Sequence, residues 1–177
     1  MLEERENMEK EKVSAVIENT YNHIRRTLSA LPAATLAKSP GLAGASFKDA
    51  DKLGGARIEL QEMIGQSRVF EISGEDTEIE TVQLGQPTPS SFNIRTPLRI
   101  RYDAIGPSIR SDIKESVIRE KLAVIDGLMR STWSSVSGLV TFEARPSTIT
   151  SVTLADESGA EYKVLISEIE LSFSVDI

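Results

Sequence analysis

The sequence predicts an α+β fold: an antiparallel or mixed β-sheet, with an N-terminal helix and a second long helix packed on it. Three observations carry this. Apolar residues step by three and four in two segments, near the start of the chain and at about 111–131. Elsewhere they alternate, as in strands. The two helical segments do not alternate one-for-one with the strands, which argues against a parallel α/β plan. The chain has 177 residues, enough for one domain with its own core. It divides into an amphipathic helix at 1–31, a flexible loop or arm at 32–55 and an α+β core at 56–177.

The first helix is read over 5–30. Val13, Val16, Ile17, Tyr21, Ile24, Leu28 and Leu31 share one face, and Pro32 ends it because the residue before proline is pushed out of the α region. Residues 32–55 are rich in Ala, Gly, Ser and Lys with no apolar period. A stretch of that length is a floppy insertion or an arm that orders against a neighbouring subunit.

Strand signals begin at Ala56, with Ile58 and Leu60 alternating. They continue in RVFEIS at 68–73 and, after the turn signal GED at 74–76, from Ile79 to Leu84. GQPTPSS at 85–91 is a loop. In TPLRIRYD, Leu98, Ile100 and Tyr102 face one way, and Arg99, Arg101 and Asp103 the other, as in a sheet with one covered face.

Ser111 is placed to cap the second helix, with Asp112 and Glu115 in its first turn. Ile113, Val117, Ile118, Leu122, Ile125, Leu128 and Met129 form its expected apolar stripe. Trp133 is expected to anchor the helix exit in the core. LVTFEA at 139–144 reads as a strand, and TITSVTLADESGAEYKVL as a hairpin with a polar turn. In the last segment Ile169, Leu171, Phe173, Val175 and Ile177 alternate with polar residues, but Tyr162, Val164 and Ile166 have the opposite parity. Either a bulge lies near Ser167 or the strand is covered on both faces there.

Composition narrows the function classes. The formal net charge of −7 argues against a duplex-binding module or an anionic membrane partner. With no cysteine, disulfides, thiolate metal sites and cysteine nucleophiles are excluded. No apolar run is long enough to span a membrane. MLEERENMEK has no apolar core behind it, so no secretory leader is expected.

No catalytic, cofactor or metal site is expected. His23, the single histidine, sits beside Arg25 and Arg26 and reads as a solvated surface residue. EDTEIE at 75–80 and DAD at 49–51 lack the spacing of a calcium loop and read as solvated turns. The candidate subunit-interface residues are Arg99 and Arg101 on one strand and Glu168, Glu170 and Asp176 on the last, where opposite charges could set register. The plain alternative is the wet side of an open sheet.

The arrangement resembles the tail-terminator family of long-tailed bacteriophages, within the wider group of tail-completion and head–tail joining proteins. The resemblance lies in an N-terminal helix, a strand hairpin with an acidic turn (RVFEISGEDTEIETVQL), and a long strand (TPLRIRYDA). The helix SDIKESVIREKLAVIDGLM, a polar hairpin and the final strand EIELSFSVDI complete it. It spans residues 68–177 and, loosely, the first helix. It implies a non-enzymatic virion protein: a hexameric ring at the head-proximal end of the tail, assembled in the host cytoplasm. Its partners would be the tail-tube protein and the head connector, with DNA passing through the lumen without specific binding. The alternatives are a stopper or adaptor protein of the neck, and a small enzyme or ligand-binding domain without a recognisable motif.

Overall fold

A computed structural model of the chain describes residues 2–31, 46–52, 68–72, 75–82, 91–104 and 111–176. Helix α1 spans Leu2–Ser29 and helix α2 spans Ser111–Met129. The strands are β1 (Lys48–Asp49), β2 (Val69–Ile72), β3 (Glu78–Val82), β4 (Ser91–Ala104), β5 (Leu139–Ala155) and β6 (Glu161–Asp176). They form one mixed sheet in the order β1-β2-β4-β6-β5, with β3 also on β4. The fold is α+β, as the periodicities predict.

The backbone of the sheet is the antiparallel pair β4–β6, in unbroken register from Ser91 opposite Asp176 to Ala104 opposite Lys163. One face of this pair presents Ile94, Leu98, Ile100 and Tyr102 with Leu165, Ile169, Leu171, Phe173 and Val175. Ile24 and Leu28 of α1, and Val117, Val124 and Leu128 of α2, pack with this face in the main core. Thr20 fits the buried stripe of α1 because its hydroxyl donates to the Val16 carbonyl at 2.8 Å. Trp133 anchors the exit of α2: its Nε1 donates to the Leu128 carbonyl at 2.8 Å, and its ring stacks on Phe142 at 3.7 Å.

Three expectations are corrected. First, RVFEIS and the segment from Ile79 do not form a hairpin. Both lie on the same edge of β4, running in the same direction, with Ile72 opposite Leu98 and Glu78 opposite Arg95. The chain direction is therefore not reversed between them. Asp76 reaches Arg99 at 2.8 Å, and the Thr77 hydroxyl donates to that of Thr96 at 3.0 Å. One of the two residues facing this interruption is Pro97, which has no N–H to give a ladder.

Second, LVTFEA and the first arm of the predicted hairpin are one strand, β5. Its register slips between Pro146 and Ile149, so that Ser147 and Thr148 oppose Glu168 alone. The irregularity expected near Ser167 therefore sits on the neighbouring strand. β6 itself resolves its parity conflict by double covering: Leu165 and Ser167 are buried on the helix face, and Val164 on the other.

Third, part of the segment 32–55 belongs to the core. Phe47 is buried, and β1 pairs in parallel with β2. The strand signal at 56–64 and most of the loop at 85–91 lie outside the described residues.

Candidate assembly surfaces

The face of β4–β6 turned away from the helices carries all five predicted interface residues. Arg99 and Glu168 are opposite each other in the ladder, and the Arg99 Nε donates to Glu168 Oε2 at 3.1 Å. A second carboxylate, Asp76, approaches Arg99 at 2.8 Å. Partial burial pulls the guanidinium pKa down, but the hydrogen bonds to Glu168 and Asp76 outweigh it and leave it above its ordinary value. The charge complementarity expected between these residues is thus present within a single chain. Glu170 and Asp176 are exposed.

Arg101 is not on a wet face, and this corrects its expected placement. It is fully buried, level with Val69 and Ile166 on its neighbouring strands, with its Nη2 2.8 Å from Asp103 Oδ1. Burial lowers the Arg101 pKa, with Asp103 and Tyr162 opposing the shift. The same burial raises Asp103. The alternation that placed Arg99, Arg101 and Asp103 together is right. What it could not reveal is that this end of the sheet is covered on both sides.

A second buried charge escaped the sequence reading. Glu120 lies on the inner face of α2, where it accepts from Arg68 Nε at 2.6 Å and Nη2 at 2.9 Å, and from the Tyr102 hydroxyl at 3.2 Å. Arg68 and Glu120 are both removed from solvent. Burial, then the adjacent Glu120 carboxylate, pushes the Tyr102 hydroxyl well above its ordinary value. Arg68 adopts φ +57°, a conformation rare for a side chain this large. Its backbone holds it there, donating to the Arg101 carbonyl at 2.7 Å and accepting from the Lys48 N–H at 2.9 Å. The signal was available: Glu120 is three residues after Val117 and four before Val124, in phase with the buried stripe.

Lys121 follows on the same helix and is also buried. Its Nζ donates to the carbonyls of Ser147 and Thr148, at 2.8 and 3.0 Å, where β5 bulges. Burial lowers its pKa, opposed by Glu168.

The apolar residues of α2 therefore split into two stripes. Ile113, Val117, Val124 and Leu128 are buried. Ile118, Leu122 and Met129 are about half exposed, at 48%, 56% and 46%, far more than a core position allows. Beside them runs β5, whose 17 residues carry no further strand on their outer edge among the described residues. Val140 on β5 and Ile79 on the opposite edge strand β3 are exposed too.

His23 is not simply solvated. Its Nε2 lies 2.6 Å from the Ser131 hydroxyl and its ring 4.4 Å from that of Trp133. Burial, then the nearby Arg26 charge, lowers its pKa. Asp49 and Asp51 both contact Arg25, at 3.0 and 2.8 Å. Among the described residues no group of three or more His, Asp or Glu side chains could hold a metal ion.

No known family model matches the chain, and a comparison with curated proteins finds no match either.

Proposed function

We propose that this chain is a structural subunit that assembles edge-to-edge into a ring at the head-proximal end of a phage tail, ending tube growth and joining tail to head. The observation that carries the assembly reading is the open edge of β5. A long edge strand is a template for pairing with another chain, and solvent-facing monomers usually shorten or blunt it. Here α2 covers a small part of it: Lys121 occupies the two carbonyls at the bulge, and Met129 Sδ accepts from the Ala144 N–H at 3.3 Å. The opposite edge offers β3, with Glu78, Ile79 and Glu80 exposed, and β5 offers Val140 and Arg145. Contact between two different edges is head-to-tail and closes into a ring when the rotation permits. The tail-end location rests on the resemblance in element order.

Six copies would carry a formal charge of about −42, six times the charge of one chain. A negative lumen would let DNA pass without adhering. The test is electron microscopy of the purified protein with and without tail tubes, together with native mass spectrometry. The reading expects closed rings of uniform copy number, seated on tube ends. Rings that seat on isolated heads instead indicate a neck connector. A protein that forms no closed assembly under either condition sinks the proposal.

A further inference from the structure

The outward face of α2 has a pattern that open sheet edges do not explain. Its exposed apolar stripe is nearly a palindrome. Ile118 and Met129 stand at equal distances from a centre near Ala123, with Leu122 beside that centre; its counterpart Ile125 is partly buried against the main core. Along one flank of that stripe run four exposed charges in the order Glu115, Arg119, Asp126, Arg130. They lie within the chain as two i,i+4 pairs, Arg119–Glu115 at 3.8 Å and Arg130–Asp126 at 2.7 Å. These charges are a palindrome of opposite sign. The midpoint between Arg119 and Asp126 coincides with that between Glu115 and Arg130, within one residue of the apolar centre.

We infer that the outward face of α2 is a docking site for the same helix of a second copy, packed antiparallel about a two-fold axis near Leu122–Ala123. The two-fold brings the apolar stripes together. It keeps both charged flanks on one side, with Arg119 level with Asp126 of the second copy and Glu115 level with Arg130. Each dimer gains four cross-helix pairs of opposite sign and none of like sign along that flank. A parallel two-fold pairing would put the two charged flanks on opposite sides, where they could not meet, so the pattern selects the antiparallel arrangement. Such a contact is isologous and closes at two copies, whereas the sheet-edge contact is head-to-tail. The two use different surfaces, and this inference does not depend on the ring.

A single helix pair buries less than the roughly 1,000 Å² expected of a stable interface, so the dimer is weak and reversible, with a dissociation constant on the order of 10–100 µM. The test is sedimentation equilibrium of the full chain from 10 µM to 1 mM, with circular dichroism to confirm folding. Leu122→Glu puts a charge in the centre of the stripe and should weaken association by on the order of a hundredfold. Arg119→Glu removes two attractive contacts per dimer and sets like charges against each other, weakening it by about tenfold. The same-chain double variant Arg119→Glu/Asp126→Arg restores opposite signs across the two-fold and should recover most of the loss. A wild-type chain that stays monomeric at 1 mM overturns the inference. So does association that Leu122→Glu leaves unchanged, because the contact is then elsewhere on the molecule. If the double variant is as weak as Arg119→Glu, the antiparallel geometry is wrong. Ring formation, read separately as a closed species in native mass spectrometry, stands or falls on its own.

Discussion

Replacing Glu120 with alanine should be among the most damaging single changes in this protein. The substitution removes a two-oxygen partner, at 2.6 and 2.9 Å, from a guanidinium with no solvent exposure. It also takes away the acceptor of the Tyr102 hydroxyl. Breaking a buried ion pair from one side costs about 3–5 kcal/mol, because the remaining charge keeps its desolvation penalty and loses its compensation. That is a large share of the roughly 5–15 kcal/mol that holds a domain folded. For a chain of this length each kcal/mol moves Tm by about 2–4 °C, so the expected fall is about 6–20 °C. Urea denaturation followed by circular dichroism would show the midpoint shift directly. Removing both charges together, as Arg68→Met/Glu120→Leu, should cost far less than Glu120→Ala, since neither partner then remains as a buried ion. A loss below about 1 kcal/mol for Glu120→Ala would refute the reasoning. So would a double variant weaker than the single.

Two further outcomes follow from the same geometry. Because burial and Arg26 lower the folded pKa of His23, the unfolded chain binds the proton more readily. The stability that His23 contributes is therefore present above the unfolded value of roughly 6.5 and is lost as pH falls through the lowered folded value. Thermal melts between pH 7.5 and 5 should show a steeper decline for wild type than for His23→Gln, and parallel curves would count against the assignment. Gly138 has φ +85°, and a Cβ there would meet Val16 Cγ2 at 2.7 Å. Gly138→Ala should destabilise by about 2–3 kcal/mol from backbone strain plus crowding, measured by denaturant midpoint, and a change within 0.5 kcal/mol would be inconsistent with the turn as described.

Local periodicity made the element plan legible. Helix α1 was expected at 5–30 and spans Leu2–Ser29, and α2 was expected at about 111–131 and spans Ser111–Met129. The alternation in β4 assigned Leu98, Ile100 and Tyr102 to the covered face, and all three are buried. What failed was anything that depends on partners distant in the chain. GED reads locally as a reversal, yet Asp76 lies 2.8 Å from Arg99 on β4 and the strand direction persists. Arg101 alternates like a solvent-facing residue, and only the second covering of the sheet makes it a buried one. Arg99 and Glu168 are expected to meet across a subunit boundary, and no spacing rule could reveal that they are neighbours within one chain. On α2 the apolar positions were read as one stripe because the sequence contains two overlapping ones.

Those two stripes pose a choice that hydrophobicity cannot make. Burying Ile118, Leu122 and Met129 in place of Val117, Val124 and Leu128 would remove a similar amount of apolar surface from water, at about 25 cal/mol per Å² for either set. Hydrophobic burial alone would leave α2 free to rotate about its own axis. Glu120 and Lys121 decide between the two. They are consecutive, so they diverge by about 100° around the helix and grip the sheet at two places. Glu120 meets Arg68 beside β2, and Lys121 meets the bulged carbonyls of β5. Turning the helix to bury the second stripe would strand the Arg68 guanidinium in the core and uncover the β5 carbonyls. Both losses exceed anything that exchanging one stripe for the other returns. The buried charges thus define which face of α2 looks outward, and they hold Ile118, Leu122 and Met129 in the exposed position that a second copy requires.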